Sequence, residues 1–222
     1  VCLPLPAERS DLARAVRRTA AWAERAKAAH RRRDDQALFG IGQGGTDAAL
    51  RRESAQRTVA LDFDGYAIGG LSVGEERGPM MGALEAAIAE LPADQPRYLM
   101  GVGDPRSMIE AVARGVDMFD CVLPTRLGRH GTLLTDRGRV NAKRAEFSRS
   151  DRPIDPACAC SVCATYSAGY LRHLLVVGEP AGKTLCALHN LAWMLAFVDR
   201  MRAAIAAGTL DALRSEVAAV WA

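Results

Sequence analysis

The chain has 222 residues and a formal net charge of +3, with 49% hydrophobic and 25% charged residues. This composition predicts a globular protein with a substantial core and excludes a disordered chain. No apolar run approaches the roughly 18 residues of a membrane-spanning helix, and the N-terminus lacks the layout of a signal peptide. We therefore expect a cytoplasmic protein with no membrane partner.

Helical and strand-like segments alternate through the first 125 residues. An initial helix is predicted over 11–30. The strand-like runs that follow are 37–45, 65–74, 97–105 and 117–125, and the helical segments between them are 47–62, 79–92 and 105–116. Alternation at a spacing of about thirty residues predicts parallel βα units.

Glycines gather at the carboxyl ends of the predicted strands, in "FGIGQGG", "GYAIGGLSVG" and "RYLMGVGDP". An eight-stranded βα barrel and an open doubly wound sheet both build their sites at these strand ends. Gln43 stands where an amide could read the edge of a planar ligand. Gly69-Gly70 and Gly101-x-Gly103 would let that ligand approach the backbone. The leading "VCLPLP" resembles the end of one more strand.

Asp120 lies within the apolar run "DMFDCVLPT". A carboxylate in such a run is costly unless it is paired or functional. Near the carboxyl end of a strand it is a catalytic candidate. The alternative is a structural aspartate that caps an adjacent loop.

The pattern changes after residue 125. "TLLTDRGRVNA" predicts a β-hairpin over 132–142 with its turn at Asp136-Arg137-Gly138. Helices are predicted over about 165–177, about 183–206 and in the final "LDALRSEVAAVWA". The second of these is apolar on more than one face, so we expect it to be well buried.

Basic residues concentrate in the same region and outnumber Asp136, Glu146 and Asp151. They are Arg126, Arg129, Arg137, Arg139, Lys143, Arg144, Arg149 and Arg152. Such an excess is a candidate surface for phosphate groups. On charge alone, a solvated surface rich in hairpin structure is the simpler interpretation.

Three of the six cysteines form the motif Cys158-x-Cys160-x-x-Cys163. Three thiolates in one tight loop favour a structural zinc site, which needs a fourth ligand. His189 on the long helix is the natural candidate, and Cys186 competes with it. A disulfide would need an exporting context, and a thioredoxin-like motif would open a helix after a central strand.

Several of these segments, in this order and spacing, resemble the tRNA-guanine transglycosylases over essentially the whole chain. They are "FGIGQGG", "FDGYAIGGLSVGE", "YLMGVGDP", "DMFDCVLPTRLGRHG" and "CACSVC" followed by a distant histidine. The resemblance implies an α/β fold of the (β/α)8 TIM-barrel family. It implies about four C-terminal βα units over 1–125, a basic hairpin and zinc-binding subdomain over 126–190, and helices over 191–222 that pack on the barrel.

The resemblance also implies a chemistry. The family exchanges the wobble guanine of certain tRNA anticodons for a 7-deazaguanine on the way to queuosine, a pentosyltransferase reaction. An aspartate attacks the ribose anomeric carbon, and the incoming base then displaces the enzyme. Asp120 matches that nucleophile. Expected partners are the tRNA anticodon loop, the 7-deazaguanine base and, in a homodimer, a second copy of the enzyme.

Further residue roles follow only from the resemblance. Base recognition falls on Gln43 and Gly70, the pocket lining on Leu71, Met100 and Gly101, and adjustment to different bases on Glu75. Val73 resembles the bacterial type, which uses 7-aminomethyl-7-deazaguanine. The RNA-contacting positions are Gly101, Val102, Gly103, Asp104, Pro105, Arg106, Ser107, Thr125, Arg126, Leu127, Gly128 and Arg129. The ligands of one structural Zn²⁺ are Cys158, Cys160, Cys163 and His189, which excludes Cys186.

One departure from the family concerns its general acid/base aspartate and a second base-binding aspartate. Both lie in the first half of the family's barrel, and this sequence resembles the C-terminal half, so we expect no base exchange from these residues alone. The alternative function is a non-catalytic, zinc-bearing tRNA-binding or partner subunit of the same family. The presence of Asp120, Gln43 and Gly70 argues against it, because a subunit that only binds needs no nucleophile.

Overall fold

A computed structural model describes residues 1–221 of the chain. The chain divides into two compact units, Val1–Cys121 and Val122–Ala222. Within the described residues, no helix has both the length and the apolar character that crossing a bilayer requires.

The first unit alternates helices and strands, as the spacing predicts. Its elements are α1 (Arg9–Ala29), β1 (Phe39–Gly42), α2 (Ala48–Val59), β2 (Gly65–Ile68), α3 (Arg77–Ile88), β3 (Arg97–Leu99), α4 (Pro105–Val112) and β4 (Met118–Phe119). The four strands form one parallel sheet in the order β1-β2-β3-β4. All four residues of β2 are buried, as expected of an inner strand of a parallel sheet. The prediction of parallel βα units is confirmed.

Two helices of this unit begin at aspartates that cap them. The Asp47 carboxylate accepts a hydrogen bond from the Leu50 N–H at 3.0 Å at the start of α2. The Asp104 carboxylate accepts one from the Ser107 N–H at 3.1 Å, and Pro105 takes the first position of α4. Each cap satisfies a backbone donor that has no partner within its helix, which fixes where the preceding loop ends.

The strands are shorter than the predicted runs. After β1, Gly44 and Gly45 have φ of 137° and 58°, and Gly70 and Gly101 after β2 and β3 have φ of 66° and 77°. These values lie outside the β region, so the chain leaves the sheet at each glycine. Residues 1–8 form no strand, and Leu3 and Leu5 pack against Leu12 and Val16.

The predicted strand over 117–125 is wrong in its second half. Only Met118 and Phe119 pair with β3, and helix α5 spans Leu123–Arg129. Pro124 explains the difference, because proline cannot donate to a strand ladder but fits the first turn of a helix. Asp120 therefore follows β4 instead of lying within a strand.

The second unit consists of a hairpin and helices. After α5, its elements are β5 (Thr132–Thr135), β6 (Gly138–Asn141), a short 3-10 helix (Ala145–Phe147), α6 (Ser161–Thr165), α7 (Ala168–Val177), α8 (Pro180–Ala206) and α9 (Leu210–Val220). β5 and β6 pair antiparallel, with Thr135 opposite Gly138. The predicted hairpin is confirmed, with Asp136 and Arg137 as its two turn residues and Gly138 as the first residue of β6.

Helix α8 connects several parts of the second unit through Asn190, which is fully buried. The Asn190 Nδ2 donates hydrogen bonds to the carbonyls of Pro124 and Thr132, each at 2.9 Å, and the Oδ1 accepts one from the Leu134 N–H at 2.8 Å. The side chain therefore ties α8 to the start of α5 and to β5. These bonds satisfy the buried amide.

The prediction that α8 is well buried holds for one face of the helix only. His189, Trp193 and Phe197 face the interior, whereas Leu188 and Leu195 on other faces are 48% and 66% exposed. The apolar surface of α8 is therefore wider than the face that the helix buries within this chain.

Helix α5 packs so closely on α8 that Gly128 leaves no room for a side chain. A Cβ atom at Gly128 would lie 2.6 Å from the backbone nitrogen and 2.8 Å from the Cα of Ala187. We expect Gly128→Ala to lower the free energy of unfolding by about 1–3 kcal/mol, because backbone atoms of α8 would have to move. Chemical denaturation of the protein that contains this chain measures the change.

Gly82→Ala is the matched control for that substitution. Gly82 lies inside α3, and a Cβ atom there meets nothing within 4 Å. We expect this control to raise the free energy of unfolding by about 0.5–1 kcal/mol through the helix propensity of alanine. Equal effects of the two substitutions would contradict the close α5–α8 contact.

Candidate active site and metal centre

Four candidate segments follow four neighbouring parallel strands. Gln43 follows β1, Gly70 follows β2, Met100 and Gly101 follow β3, and Asp120 follows β4. Because the strands are parallel and adjacent, their carboxyl ends form a single edge of the sheet. The structure thus brings the candidate base-binding residues and the candidate nucleophile to the same edge.

The Gln43 amide lies against the double glycine that follows β2. Gln43 is 5% exposed, and its backbone N–H donates a hydrogen bond to the Ser54 Oγ at 2.9 Å. A Cβ atom at Gly69 would lie 2.7 Å from the Gln43 Nε2, and one at Gly70 would lie 2.3 Å from the Oε1. Only glycine at both positions leaves room for the amide, so the two segments form one surface.

Arg51 of α2 lies behind this surface, and the sequence predictions missed it. Its side chain is enclosed, with the residue 1% exposed, and it donates hydrogen bonds to three glycine carbonyls. The acceptors are Gly45 at 2.7 Å from Nε, Gly69 at 2.6 Å from Nη1 and Gly70 at 2.9 Å from Nη2. Burial lowers the pKa of Arg51 to about 10, so the guanidinium stays charged at neutral pH.

A signal for Arg51 was present in the sequence. Its neighbours on the buried face of α2 are Leu50, Ser54, Ala55 and Thr58, which recur with helical spacing. An arginine within such a stripe either pairs with buried acceptors or leaves a charge uncompensated. The carbonyl acceptors come from loops whose course the helical pattern does not encode.

Asp120 is exposed at the carboxyl edge, and one of its two oxygens is held by the protein. Its Oδ1 accepts hydrogen bonds from the Tyr98 O–H at 2.7 Å and from the Gly101 N–H at 2.8 Å. Among residues 1–221, no donor contacts the Oδ2. The structural alternative is therefore partly observed, since Asp120 does cap the loop after β3. The same bonds orient the carboxylate and leave its second oxygen available for chemistry.

Tyr98 is the second residue that the sequence predictions missed. Tyr98 lies on β3 opposite Met118 of β4. Met118 precedes Asp120 by two positions, so the strand register brings the side chains of Tyr98 and Asp120 together. The hydrogen bond to Asp120 raises the pKa of the Tyr98 phenol, with a further contribution from burial. The phenol is therefore protonated at neutral pH and acts as a donor to the carboxylate.

The Glu75 carboxylate closes the loop after β2. It accepts hydrogen bonds from the backbone N–H of Ser72 and, at 2.9 Å, from that of Val73. Ser72 has φ of 60°, which is unfavourable for a residue other than glycine. Leu71 in the same loop is buried. In this structure Glu75 contacts its own loop, next to the position of the candidate base-binding glycine.

The candidate RNA-contacting positions differ in their exposure. In the segment 101–107, Gly101 is exposed, Asp104 and Arg106 are partly buried, and Pro105 and Ser107 belong to the buried first turn of α4. Val102 and Gly103 are buried as well.

The second candidate segment, 125–129, lies within α5. Its two arginines, Arg126 and Arg129, are exposed, Thr125 and Leu127 are partly buried, and Gly128 is buried. An RNA contact by these segments remains a prediction, and the exposed arginines are the side chains best placed to make it.

All eight basic residues between Arg126 and Arg152 are exposed. One of the three acidic residues in that stretch has partners outside it, since the Asp136 Oδ1 lies 3.0 Å from the Arg200 Nη1 and 3.1 Å from the Trp193 Nε1. Arg144 forms an exposed pair with Glu146 at 3.5 Å. The stretch therefore presents a surplus of positive charge to solvent, as a phosphate-contacting surface requires.

Three cysteines and a histidine converge in the second unit. The His189 Nδ1 lies 3.8, 3.6 and 3.3 Å from the Sγ atoms of Cys158, Cys160 and Cys163. A tetrahedral ion with ordinary Zn–S and Zn–N bond lengths would place sulfur and nitrogen ligands about 3.6 Å apart. All four ligand atoms lie within 4.8 Å of one another, so the group could hold one metal ion.

The hydrogen bond on the far side of His189 fixes its tautomer. The Nε2 lies 2.8 Å from the Leu134 carbonyl oxygen, which can only accept, so the Nε2 bears the proton. The Nδ1 lone pair then faces the three sulfurs. Burial lowers the pKa of His189, which favours the neutral ring that a metal ligand needs. Holding a ligand histidine through its second nitrogen is typical of metal sites.

Burial favours the protonated thiols of Cys158 and Cys163 unless a cation compensates for it. Burial raises the pKa of Cys158 and Cys163, and the neighbouring thiols contribute to the shift. A divalent ion would reverse this preference and release protons. Cys186 does not belong to the group of ligand atoms that converge. It is fully buried in an apolar cluster with Leu133 and Leu171, where burial raises its pKa to about 11.

Comparisons with known proteins agree with this arrangement. The family model described as queuine tRNA-ribosyltransferase matches residues 1–222. A queuine tRNA-ribosyltransferase of Symbiobacterium thermophilum is 51% identical over 220 residues, which cover 99% of this chain and 55% of that protein. Proteins of the same name from Bacillus pumilus and Moorella thermoacetica are 51% and 50% identical over 215 residues, 97% of this chain and 56% and 57% of their own lengths.

The chain spans about half the length of the curated relatives that it matches. The family match covers the whole sequence, including the carboxyl edge of the sheet and the cysteine–histidine group. The chain therefore belongs to the queuine tRNA-ribosyltransferase family.

Proposed function

We propose that the protein containing this chain is a tRNA-guanine transglycosylase. The family model and the relatives share the name queuine tRNA-ribosyltransferase, which supports transfer of a modified base to tRNA. The proposed reaction exchanges the wobble guanine of a tRNA anticodon for a 7-deazaguanine. The observation that supports this most is Asp120, whose Oδ1 is held by Tyr98 and Gly101 while its Oδ2 has no donor among residues 1–221.

Asp120 is the proposed nucleophile. Its carboxylate oxygen attacks the ribose anomeric carbon, and the glycosidic C–N bond breaks with its electron pair going to the departing guanine. The guanine must take up a proton, a role that we assign to no residue of this chain. The incoming base then attacks the same carbon, loses a proton, and releases the carboxylate. Splitting one displacement into two lets the enzyme hold the ribose while the bases exchange.

The base-binding surface is proposed to consist of Gln43 and Gly70, with Leu71, Met100 and Gly101 beside them. The fixed Gln43 amide offers both a donor and an acceptor, which suits the polar edge of a guanine-type base. Glu75 lies in the loop after Gly70, where it can respond to the size of the substituent on a 7-deazaguanine. Val73 in that loop supports 7-aminomethyl-7-deazaguanine as the incoming base.

RNA binding is proposed for the exposed arginines of α5 and for the basic hairpin region. The salt-dependent attraction of these side chains to phosphates would orient the anticodon loop.

We further propose that the sheet of the first unit is part of a (β/α)8 barrel, with the domain limits that the resemblance implies. The complete enzyme is proposed to be a cytoplasmic homodimer. These proposals rest on family membership.

Zinc is the proposed ion of the cysteine–histidine group. Three thiolates and one neutral imidazole form a closed set of four ligands, which is typical of structural zinc. The ion would contribute no open coordination position and no catalytic step. It would link the loop with Cys158 and Cys160 to helix α8 through His189.

Base exchange tests the proposed activity. With radiolabelled guanine and tRNA as substrates, we expect the protein that contains this chain to incorporate guanine. Asp120→Asn should lower kcat by at least about a thousandfold, because an amide is a poor nucleophile. Asp94→Asn, at an exposed site, is the matched control and should leave the rate unchanged.

The same assay separates the two candidate functions. A protein that binds tRNA but incorporates no guanine would support a non-catalytic subunit of the family. Exchange that survives in Asp120→Asn would show that another group is the nucleophile.

Metal analysis tests the proposed zinc site. We expect about one zinc per chain, lost in Cys160→Ser together with a lower unfolding temperature, because the ion stabilises only the folded site. Cys2→Ser is the control: it removes an exposed thiol that is distant in sequence from the cysteine motif, and this variant should retain its zinc. A protein without zinc, or a Cys160→Ser variant that retains it, would contradict the proposal.

A further inference from the structure

Arg51 is a buried cation that donates hydrogen bonds to three backbone carbonyls. The guanidinium uses Nε, Nη1 and Nη2, one bond each, to contact Gly45, Gly69 and Gly70. Burying a charge is expensive, so three good acceptors are needed to offset the cost. The void that Arg51 lines with Gln43 and Tyr66 holds only about 10 Å³, so no base can reach the guanidinium. Arg51 therefore acts through other groups.

We propose that Arg51 is a positioning residue for base recognition, which orients the peptide groups after β1 and β2 that bind the base with Gln43. The inference rests on the proposed function, because it concerns the same base-binding surface.

Peptide geometry connects the guanidinium to the base-binding side. A trans peptide is planar, and its N–H points opposite to its C=O. Because Arg51 binds the Gly69 carbonyl, the Gly70 N–H must point away from α2. Because it binds the Gly70 carbonyl, the Leu71 N–H must do the same. Arg51 therefore sets the direction of two consecutive backbone donors.

The double glycine needs such an external restraint. Gly69 and Gly70 have no side chains, and Gly70 has φ of 66°, so the local backbone has many alternatives. An alanine at either position would restrict this backbone only by displacing the Gln43 amide, which a Cβ atom would meet at 2.7 Å from Gly69 and 2.3 Å from Gly70. A planar guanidinium with donors in a fixed fork can bind three carbonyls at once, whereas a lysine ammonium is a flexible point charge.

The ligand chemistry follows from the donors. Two backbone N–H groups beside an amide suit a planar heterocycle whose edge has a carbonyl oxygen, as guanine and its 7-deaza analogues have. A purine without that oxygen would leave a donor unpaired, which is the penalty that gives polar sites their selectivity. Arg51 should therefore affect the discrimination between such bases more than the overall strength of binding.

The experiment compares guanine with 2-aminopurine, which keeps the ring and the amino group but lacks the carbonyl. In the protein that contains this chain, inhibition or dissociation constants are measured for both bases, together with KM and kcat for guanine exchange. We expect Arg51→Lys to reduce the preference for guanine by about 3- to 10-fold, mainly through KM, as expected for one weakened hydrogen bond. Arg52→Lys changes an exposed neighbour on α2 and should keep the wild-type preference.

The outcomes separate the inference from the proposed function. A wild-type protein that binds neither base would overturn both. A wild-type protein that prefers guanine, with an Arg51→Lys variant of unchanged preference, would overturn the inference alone. The same holds if the variant loses affinity for both bases in equal proportion, because that is the effect of a purely structural residue.

If Arg51→Lys does not fold, the inference is tested by hydrogen exchange of the wild-type protein. Hydrogen exchange of the peptide that contains Gly70 and Leu71 is measured with guanine and with 2-aminopurine at equal occupancy. We expect guanine to slow the exchange of this peptide more than 2-aminopurine does. Equal protection by the two bases would overturn the role of these donors, and with it the inference.

Discussion

Parallel pairing of four very short strands is the constraint on which the first unit depends. No strand exceeds four residues, so each provides only a few ladder hydrogen bonds and an exit at a defined point. Because the register aligns these exits, Gln43, Gly70, Gly101 and Asp120 share one edge. The same register places Tyr98 beside Asp120. The geometry of the candidate site is thus a direct consequence of strand pairing, and the loops supply the chemical groups.

Loops that are rich in glycine need anchors, and here the anchors are side chains that bind the backbone. Arg51 binds three carbonyls behind the base-binding surface, Glu75 binds two N–H groups in the loop after β2, and Asp120 itself binds the Gly101 N–H. Each anchor satisfies backbone groups that the short strands leave unpaired. The second unit uses the same device, since Asn190 and His189 of α8 both bind the backbone of β5. Residues that determine the geometry of the site therefore need not touch a substrate.

The sequence was sufficient for features with a strong local signal. The βα alternation, the hairpin and a metal site at Cys158, Cys160 and Cys163 follow from spacing and residue chemistry. Only the family resemblance favoured His189 over Cys186 as the fourth ligand. Features that depend on tertiary neighbours could not be predicted from the sequence. The direction of the Tyr98 side chain follows from pairing with β4, and the acceptors of Arg51 belong to two separate loops. Periodicity also could not tell which apolar face of α8 would find a partner, so the exposure of Leu195 was missed.

Mapping the covalent intermediate is the most direct test of the role of Asp120. The protein that contains this chain is incubated with tRNA while the incoming base is withheld, the complex is denatured and digested, and the modified peptide is identified by mass spectrometry. We expect a ribose-linked nucleotide on the peptide that contains Asp120, attached through its carboxylate. An adduct on another carboxylate, or active exchange with no trapped adduct at all, would contradict that role.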